Sequence, residues 1–152
     1  MKINLYTDGA CSGNPGKGGY GAVLLFGEKR KEMAEAYELT TNNRMELLAV
    51  IKGLEQLKHN KYPIECFTDS KYVCDSINKG WLMSWQAKGF KKKKNVDLWK
   101  RMIPLLSKFN PKFTWVKGHA GNALNERCDE LAVEAYQKGP WQTDHGYENE
   151  LD

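Results

Sequence analysis

The chain has 152 residues, 41% of them hydrophobic, which suits one compact domain with a real core and excludes two of ordinary size. Lys and Arg total 23 against 19 acids, yet the last fourteen residues carry Asp144, Glu148, Glu150 and Asp152 and no Lys or Arg. Residues 1–138 therefore hold +8, the chain's +4 plus the four charges the tail removes, and such a body suits a polyanionic partner or simply a soluble basic protein.

Residues 2–8 (KINLYTD) alternate as a strand does, with Ile3, Leu5 and Thr7 on one face, so Asp8 is expected to close a first strand. A Gly-rich loop, GACSGNPGKGG, should follow, then strands at Tyr20–Phe26 and Lys31–Thr40 around a turn at Gly27-Glu28. Short connections favour an antiparallel trio. Asn42 and Asn43 are N-cap candidates for a largely buried helix from Arg44 to about Lys58, with Met45, Leu48, Ile51 and Leu54 on its apolar face.

Ile64–Thr68 reads as a short strand that delivers Asp69, and Ser70 as the cap of a helix over Lys71–Asn78. From Trp81 to Lys94 the pattern turns aromatic and basic. A helix over Val96–Lys108 contains Pro104, which predicts a kink or an early end, because an interior proline costs about 3 kcal/mol. Phe113–Lys117 is a last strand, Gly118–Gly121 a loop and Asn122–Lys138 a last helix, while the acidic tail at 139–152 is expected to be loose. This order implies an α/β fold with helices on the faces of a mixed sheet.

Cys11, Cys66, Cys74 and Cys128 show no metal-finger spacing, and a chain with a real core needs no disulfide staples, so reduced thiols are expected. No segment approaches the roughly 18 apolar residues of a membrane span. Met1-Lys2 leads into a strand without the apolar stretch of a signal peptide, and the default expectation is a cytoplasmic protein.

The chemistry centres on Asp8, Glu46, Asp69 and Asp129, each where an element meets a polar segment. Taken singly, Asp8-Gly9 is also a turn, Asn43-x-x-Glu46 a capping box, Asp69-Ser70 a helix start and Asp129 a charge on a polar helix edge. Taken together, they would form a site for hard divalent cations. Two unit charges about 4 Å apart repel by about 4 kcal/mol at an effective dielectric near 20, so converging carboxylates need a cation. Two magnesium ions can clamp an in-line displacement at phosphorus.

The motifs YTDGACSGNPGKGGYGAVL, TTNNRMEL, FTDSKYV, KNVDLW and WVKGHAGNALNERCDELA, in this order and across nearly the whole chain, resemble type 1 ribonuclease H, specifically the bacterial ribonuclease HI group. The resemblance implies a five-stranded mixed sheet, its first three strands antiparallel, in a catalytic domain at 1–138 with a basic protrusion at about 81–94. It implies an endoribonuclease that hydrolyses the RNA strand of RNA–DNA hybrids with two Mg2+ ions, Mn2+ being the alternative, and leaves 5′-phosphate and 3′-hydroxyl ends. Asp8, Glu46, Asp69 and Asp129 become the metal ligands, and His119 a proton-transfer or product-release residue suited by an imidazole pKa near 6.5.

Asn14, Thr41, Asn42, Asn43 and Asn95 could serve only turns and caps, but by the same resemblance all contact the hybrid, Asn14 and Asn43 toward bases and sugars, Thr41 and Asn95 in a phosphate pocket for the DNA strand. Backbone groups around Cys11 and the neighbourhood of Glu46 and Lys71 approach the RNA 2′-hydroxyl, the group that separates RNA from DNA. Lys71 stands where the family often has glutamine. Trp81, Trp85 and Lys88 with Lys91–Lys94 would grip the DNA strand, although a lysine run is also an ordinary solvated face and aromatics are ordinary core. A monomer without a required protein partner is expected. The rival readings are a metal-dependent DNA nuclease or integrase-like enzyme of the same fold, and a catalytically silent nucleic-acid-binding module.

Overall fold

The computed structural model describes residues 1–118 and 122–149. Among them run β1 (Ile3–Ser12), β2 (Gly16–Phe26), β3 (Lys29–Thr40), α1 (Asn42–Glu55), β4 (Ile64–Thr68), α2 (Lys71–Asn78), α3 (Trp81–Ala87), α4 (Val96–Phe109), β5 (Lys112–Trp115), α5 (Ala123–Lys138), β6 (Trp141–Gln142) and α6 (His145–Glu148). The sheet order is β5-β4-β1-β2-β3-β6, six strands where five were expected. The antiparallel β1-β2-β3 trio is present.

β1 is the central strand and it has two kinds of neighbour. Its antiparallel ladder to β2 runs from Ile3↔Phe26 to Ser12↔Lys17, whereas its parallel ladder to β4 stops at Tyr6↔Phe67. Beyond Tyr6 the β4 side of β1 is therefore unpaired, and a cleft opens there. Asp8 does not close the strand as expected but lies inside it, because the Gly-rich stretch continues the β1-β2 hairpin almost to its tip instead of forming a long loop.

α1 and α5 cover opposite faces of the sheet. Leu5 packs against α1 at Gly53, while Gly21 on β2 faces the α5 backbone at Cys128, as alternation of side chains along strands requires. The main core lies under α1, where Met45, Leu47, Ile51 and Leu54 are fully buried with Leu5, Cys66 and Trp99. α1 starts one cap earlier than predicted: Thr41, extended at φ −124°, accepts the Arg44 N–H at 3.3 Å. α4 does not end early but continues past Pro104 to Phe109. Pro104 and Lys100, whose carbonyl loses its partner, are both exposed, so water can replace the missing hydrogen bond.

The stretch 81–94 is not featureless: α3 occupies its first half, and a turn with positive φ at Phe90 and Lys92 carries the lysines. Phe90 is buried and fastens that turn to the body. The tail also differs from expectation. β6 pairs in parallel with Ala36 and Tyr37 of β3, the Trp141 indole donates to the Tyr136 carbonyl at 2.8 Å, and Asp144 is buried. Its charge is not solvated because Arg44, only 1% exposed, donates to both its oxygens at 2.8 and 2.9 Å and Thr40 adds a hydroxyl at 2.6 Å. All four cysteines are free thiols. No described helix is long and apolar enough to cross a membrane.

Candidate metal centre and nucleic-acid groove

Three chain segments meet where β1 and β4 part. Asp8 comes from β1, Asp69 from the residue after β4, and Glu46 from the second turn of α1. Their carboxylate oxygens lie within 4.8 Å of one another. Such proximity requires α1 to touch the β1 backbone: a Cβ on Gly9 would come within 2.5 Å of the Glu46 nitrogen, so only glycine fits. The Gly9 N–H donates to both Asp8 Oδ1 and Glu46 Oε1 at 2.9 Å, and the Thr68 hydroxyl stands 3.4 Å from Glu46 Oε2. Trp115 Nε1 donates to the Asp69 carbonyl at 3.0 Å and ties β5 to the loop that presents it.

Asp129 is brought to the same cavity, of about 470 Å³, but outside the compact trio. α5 reaches it by lying directly on β2, where a Cβ on Gly21 would meet the Cys128 carbonyl at 2.2 Å. Burial, and then the charges of Asp69 and Asp129, push the Asp8 carboxyl up to about 7. Glu46 is also raised well above its ordinary value, by burial first and by Asp8 next. No Lys or Arg side chain hydrogen-bonds the trio among the described residues. Buried, crowded oxygen donors whose charged forms are disfavoured are what a hard divalent cation relieves, so the residues fit magnesium-type coordination.

From this centre a groove runs across the molecule. Cys11, Asn42, Asn43 and Lys71 line the acidic cavity together with Tyr72. Asn43 also lines a second cavity of about 440 Å³, shared with Asn14, Thr41, Lys94, Asn95 and Tyr147, and a third of about 330 Å³, shared with Tyr72, Trp85 and Lys92–Lys94. Asn14 Oδ1 accepts the Asn42 N–H at 3.0 Å and pins the β1-β2 turn to the start of α1. Asn95 caps α4 in the left-handed region at φ 61° and donates to the Tyr72 hydroxyl at 3.2 Å.

The remaining sequence candidates fall unevenly. Lys71 stands over the Trp115 ring at 4.9 Å. Trp85 packs edge-on against buried Trp99 at 5.9 Å with Lys93 over its face at 5.1 Å, so much of its ring belongs to the core. Trp81 is 43% exposed and Lys88 exposed, and neither lines these three cavities. His119 lies outside the described residues. Sequence reading missed Tyr72 and Tyr147, which no spacing distinguished from ordinary packing residues. It also missed the partners of Arg44, although an arginine leading a helix of buried residues was a signal that buried carboxylates had to be near.

The RNase H family model matches residues 1–137. The chain belongs to the ribonuclease H family. It is 52% identical to the ribonuclease H of Trichodesmium erythraeum over 97% of this chain and 96% of that protein. It is 49% identical to the ribonuclease HI of Synechocystis, covering 95% and 94%. Among solved structures, the RNase H1 of the archaeon Halobacterium salinarum is similar at 30% identity and TM-score 0.70, with 91% of this chain and all of that one covered. LC11-RNase H1 in complex with an RNA/DNA hybrid is similar at 25% identity and TM-score 0.67, covering 90% and 97%. Ribonuclease H membership fits a sheet whose carboxylates gather at the parting of β1 and β4.

Proposed function

We propose that this chain is an endoribonuclease that binds RNA–DNA hybrid along the groove and hydrolyses the RNA strand, leaving 5′-phosphate and 3′-hydroxyl ends. The observation that carries the reading is the convergence of Asp8, Glu46 and Asp69 oxygens within 4.8 Å at a cleft shared with Asp129. Asp8, Glu46, Asp69 and Asp129 would hold two divalent cations, magnesium or alternatively manganese. Bound there, such ions supply a nucleophilic water at neutral pH and charge stabilisation of the leaving oxygen.

The protein's own contribution is placement. Gly9 and Thr68 fix the Glu46 carboxylate, so the ligands are oriented before any cation arrives. Asn42 and Asn43 line the cavity of the acids and Asn14 the neighbouring one, all three to contact the hybrid, and the surroundings of Cys11 and Lys71 face the strand carrying 2′-hydroxyls, which serve as recognition handles and not as the nucleophile. Thr41, Asn95 and Lys94 receive a phosphate of the DNA strand. Trp81, Trp85, Lys88 and Lys91–Lys94 extend the grip, with affinity that falls as salt rises. His119 moves a proton near the cut or eases product release, so His119→Ala slows turnover without abolishing it. The protein acts as a monomer.

The test incubates the protein with end-labelled RNA–DNA, RNA–RNA and DNA–DNA duplexes, in magnesium and again in calcium. Cutting confined to the RNA of the hybrid in magnesium supports the proposal. Cutting of the DNA duplex points to an integrase-like enzyme, and tight hybrid binding without turnover to a silent module.

A further inference from the structure

The end of the chain contributes a residue to the groove. Tyr147 lines the cavity of about 440 Å³ that Asn14, Thr41, Asn43, Lys94 and Asn95 also line, although it is remote from all of them in sequence. Its placement is built into the fold. Asp144 Oδ1 accepts the Tyr147 N–H at 3.3 Å, and the same carboxylate takes Arg44 Nε and Nη2 and the Thr40 hydroxyl. Arg44 in turn forks onto Asp97 at 2.8 and 2.7 Å, beside the start of α4. One guanidinium thus locks α6 to α1 and α4, the two helices whose starts border the cavity beside the β1-β2 turn.

Several of the cavity's other polar atoms are engaged with the protein. Asn14 Oδ1 takes the Asn42 N–H, the Thr41 hydroxyl takes the Arg44 N–H, and Asn95 Nδ2 gives to Tyr72. The Tyr147 hydroxyl has no hydrogen bond among the described residues, and Lys94 is exposed. A phenol and an ammonium on one polar cavity suit an anionic oxygen ligand.

We infer that Tyr147 is a binding residue of the groove, donating its hydroxyl to a backbone phosphate of the bound hybrid beside Lys94, with the Arg44–Asp144 pair as its positioning device. This rests on the hybrid-cleaving reading above. The test measures kcat and KM of the full chain on an RNA–DNA hybrid in magnesium, with thermal unfolding alongside. Tyr147→Phe keeps the ring and is expected to raise KM about three- to tenfold, the loss of one hydrogen bond, with kcat and the melting temperature unchanged. Tyr147→Ala should raise KM at least as far. Lys94→Gln should cost less in the Tyr147→Phe background than in the parent, since both act on one ligand. KM unchanged in both tyrosine variants overturns the inference while parent cleavage keeps the hybrid reading; a parent that leaves the hybrid uncut removes that reading and the inference with it.

Discussion

Two clusters of carboxylates adjoin the first turns of α1, one at Arg44 and one at Glu46, and they resolve their charge in opposite ways. In one, Asp97 and Asp144 share the guanidinium of Arg44, and although burial raises the Asp97 carboxyl, the Arg44 hydrogen bonds outweigh it and hold it below its ordinary range. In the other, Asp8 and Glu46 have each other, Asp69 and two hydrogen-bond donors but no cation, and both are pushed upward. A cluster that carries its own counter-ion is structural. A cluster built without one stores repulsion that a ligand relieves, and this marks the second as the candidate metal centre.

Removing a member of each cluster should separate them most sharply. Asp8→Asn is expected to lower turnover on hybrid by more than about a hundredfold, since even indirect partners of metal ligands are worth about 10- to 100-fold. The same variant should leave hybrid binding in calcium largely intact and raise the melting temperature of the metal-free protein at pH 7, because it removes a repelling charge. Arg44→Ala should act in reverse. It strands two carboxylates, so urea unfolding should report a loss of about 3–5 kcal/mol.

Acidity sharpens the same contrast. The folded Asp8 carboxyl, near 7, holds its proton more tightly than in the unfolded chain, where the ordinary value of 3.8 applies. Its contribution to stability is therefore present at low pH and lost as pH rises from about 4 to about 7. The swing is on the order of a few kcal/mol. Asp97, held low, contributes above the ordinary carboxylate range and is lost on acidification. Unfolding of the metal-free protein against pH, with and without Asp8→Asn, isolates the first effect, and excess magnesium should flatten it. The smallest expected change is in the protrusion: Lys91–Lys94 to alanine should weaken hybrid binding and reduce its salt dependence, whereas an unchanged salt slope returns those lysines to ordinary solvated surface.

Much of this was legible in the residues. β4 and α2 stand where periodicity and the Ser70 cap placed them, because both are short, alternating or amphipathic, and capped by a side chain acting within its own turn. The acids were found because four candidate ends pointed toward one sheet. What escaped was long-range. Gly9 read as a turn residue and Gly21 as an ordinary strand position, but one is glycine to admit α1 and the other α5, a demand made by segments far away in the chain. Asp144 read as a solvated tail charge because its partner lies 100 residues earlier. Trp81 and Trp85 looked equivalent, and only the packing of Trp99 sends Trp85 partly inward and leaves Trp81 out.

The span between Arg44 and Asp144 also sets an order of assembly during synthesis. The trio of acids is complete in the growing polypeptide once Asp69 has emerged, whereas Arg44 meets Asp97 later and Asp144 only after 100 further residues. α1 therefore settles its buried arginine in steps, with Asp144 the last to arrive. The nascent protein carries an acid centre early and completes the clasp that anchors the start of α1 well afterwards.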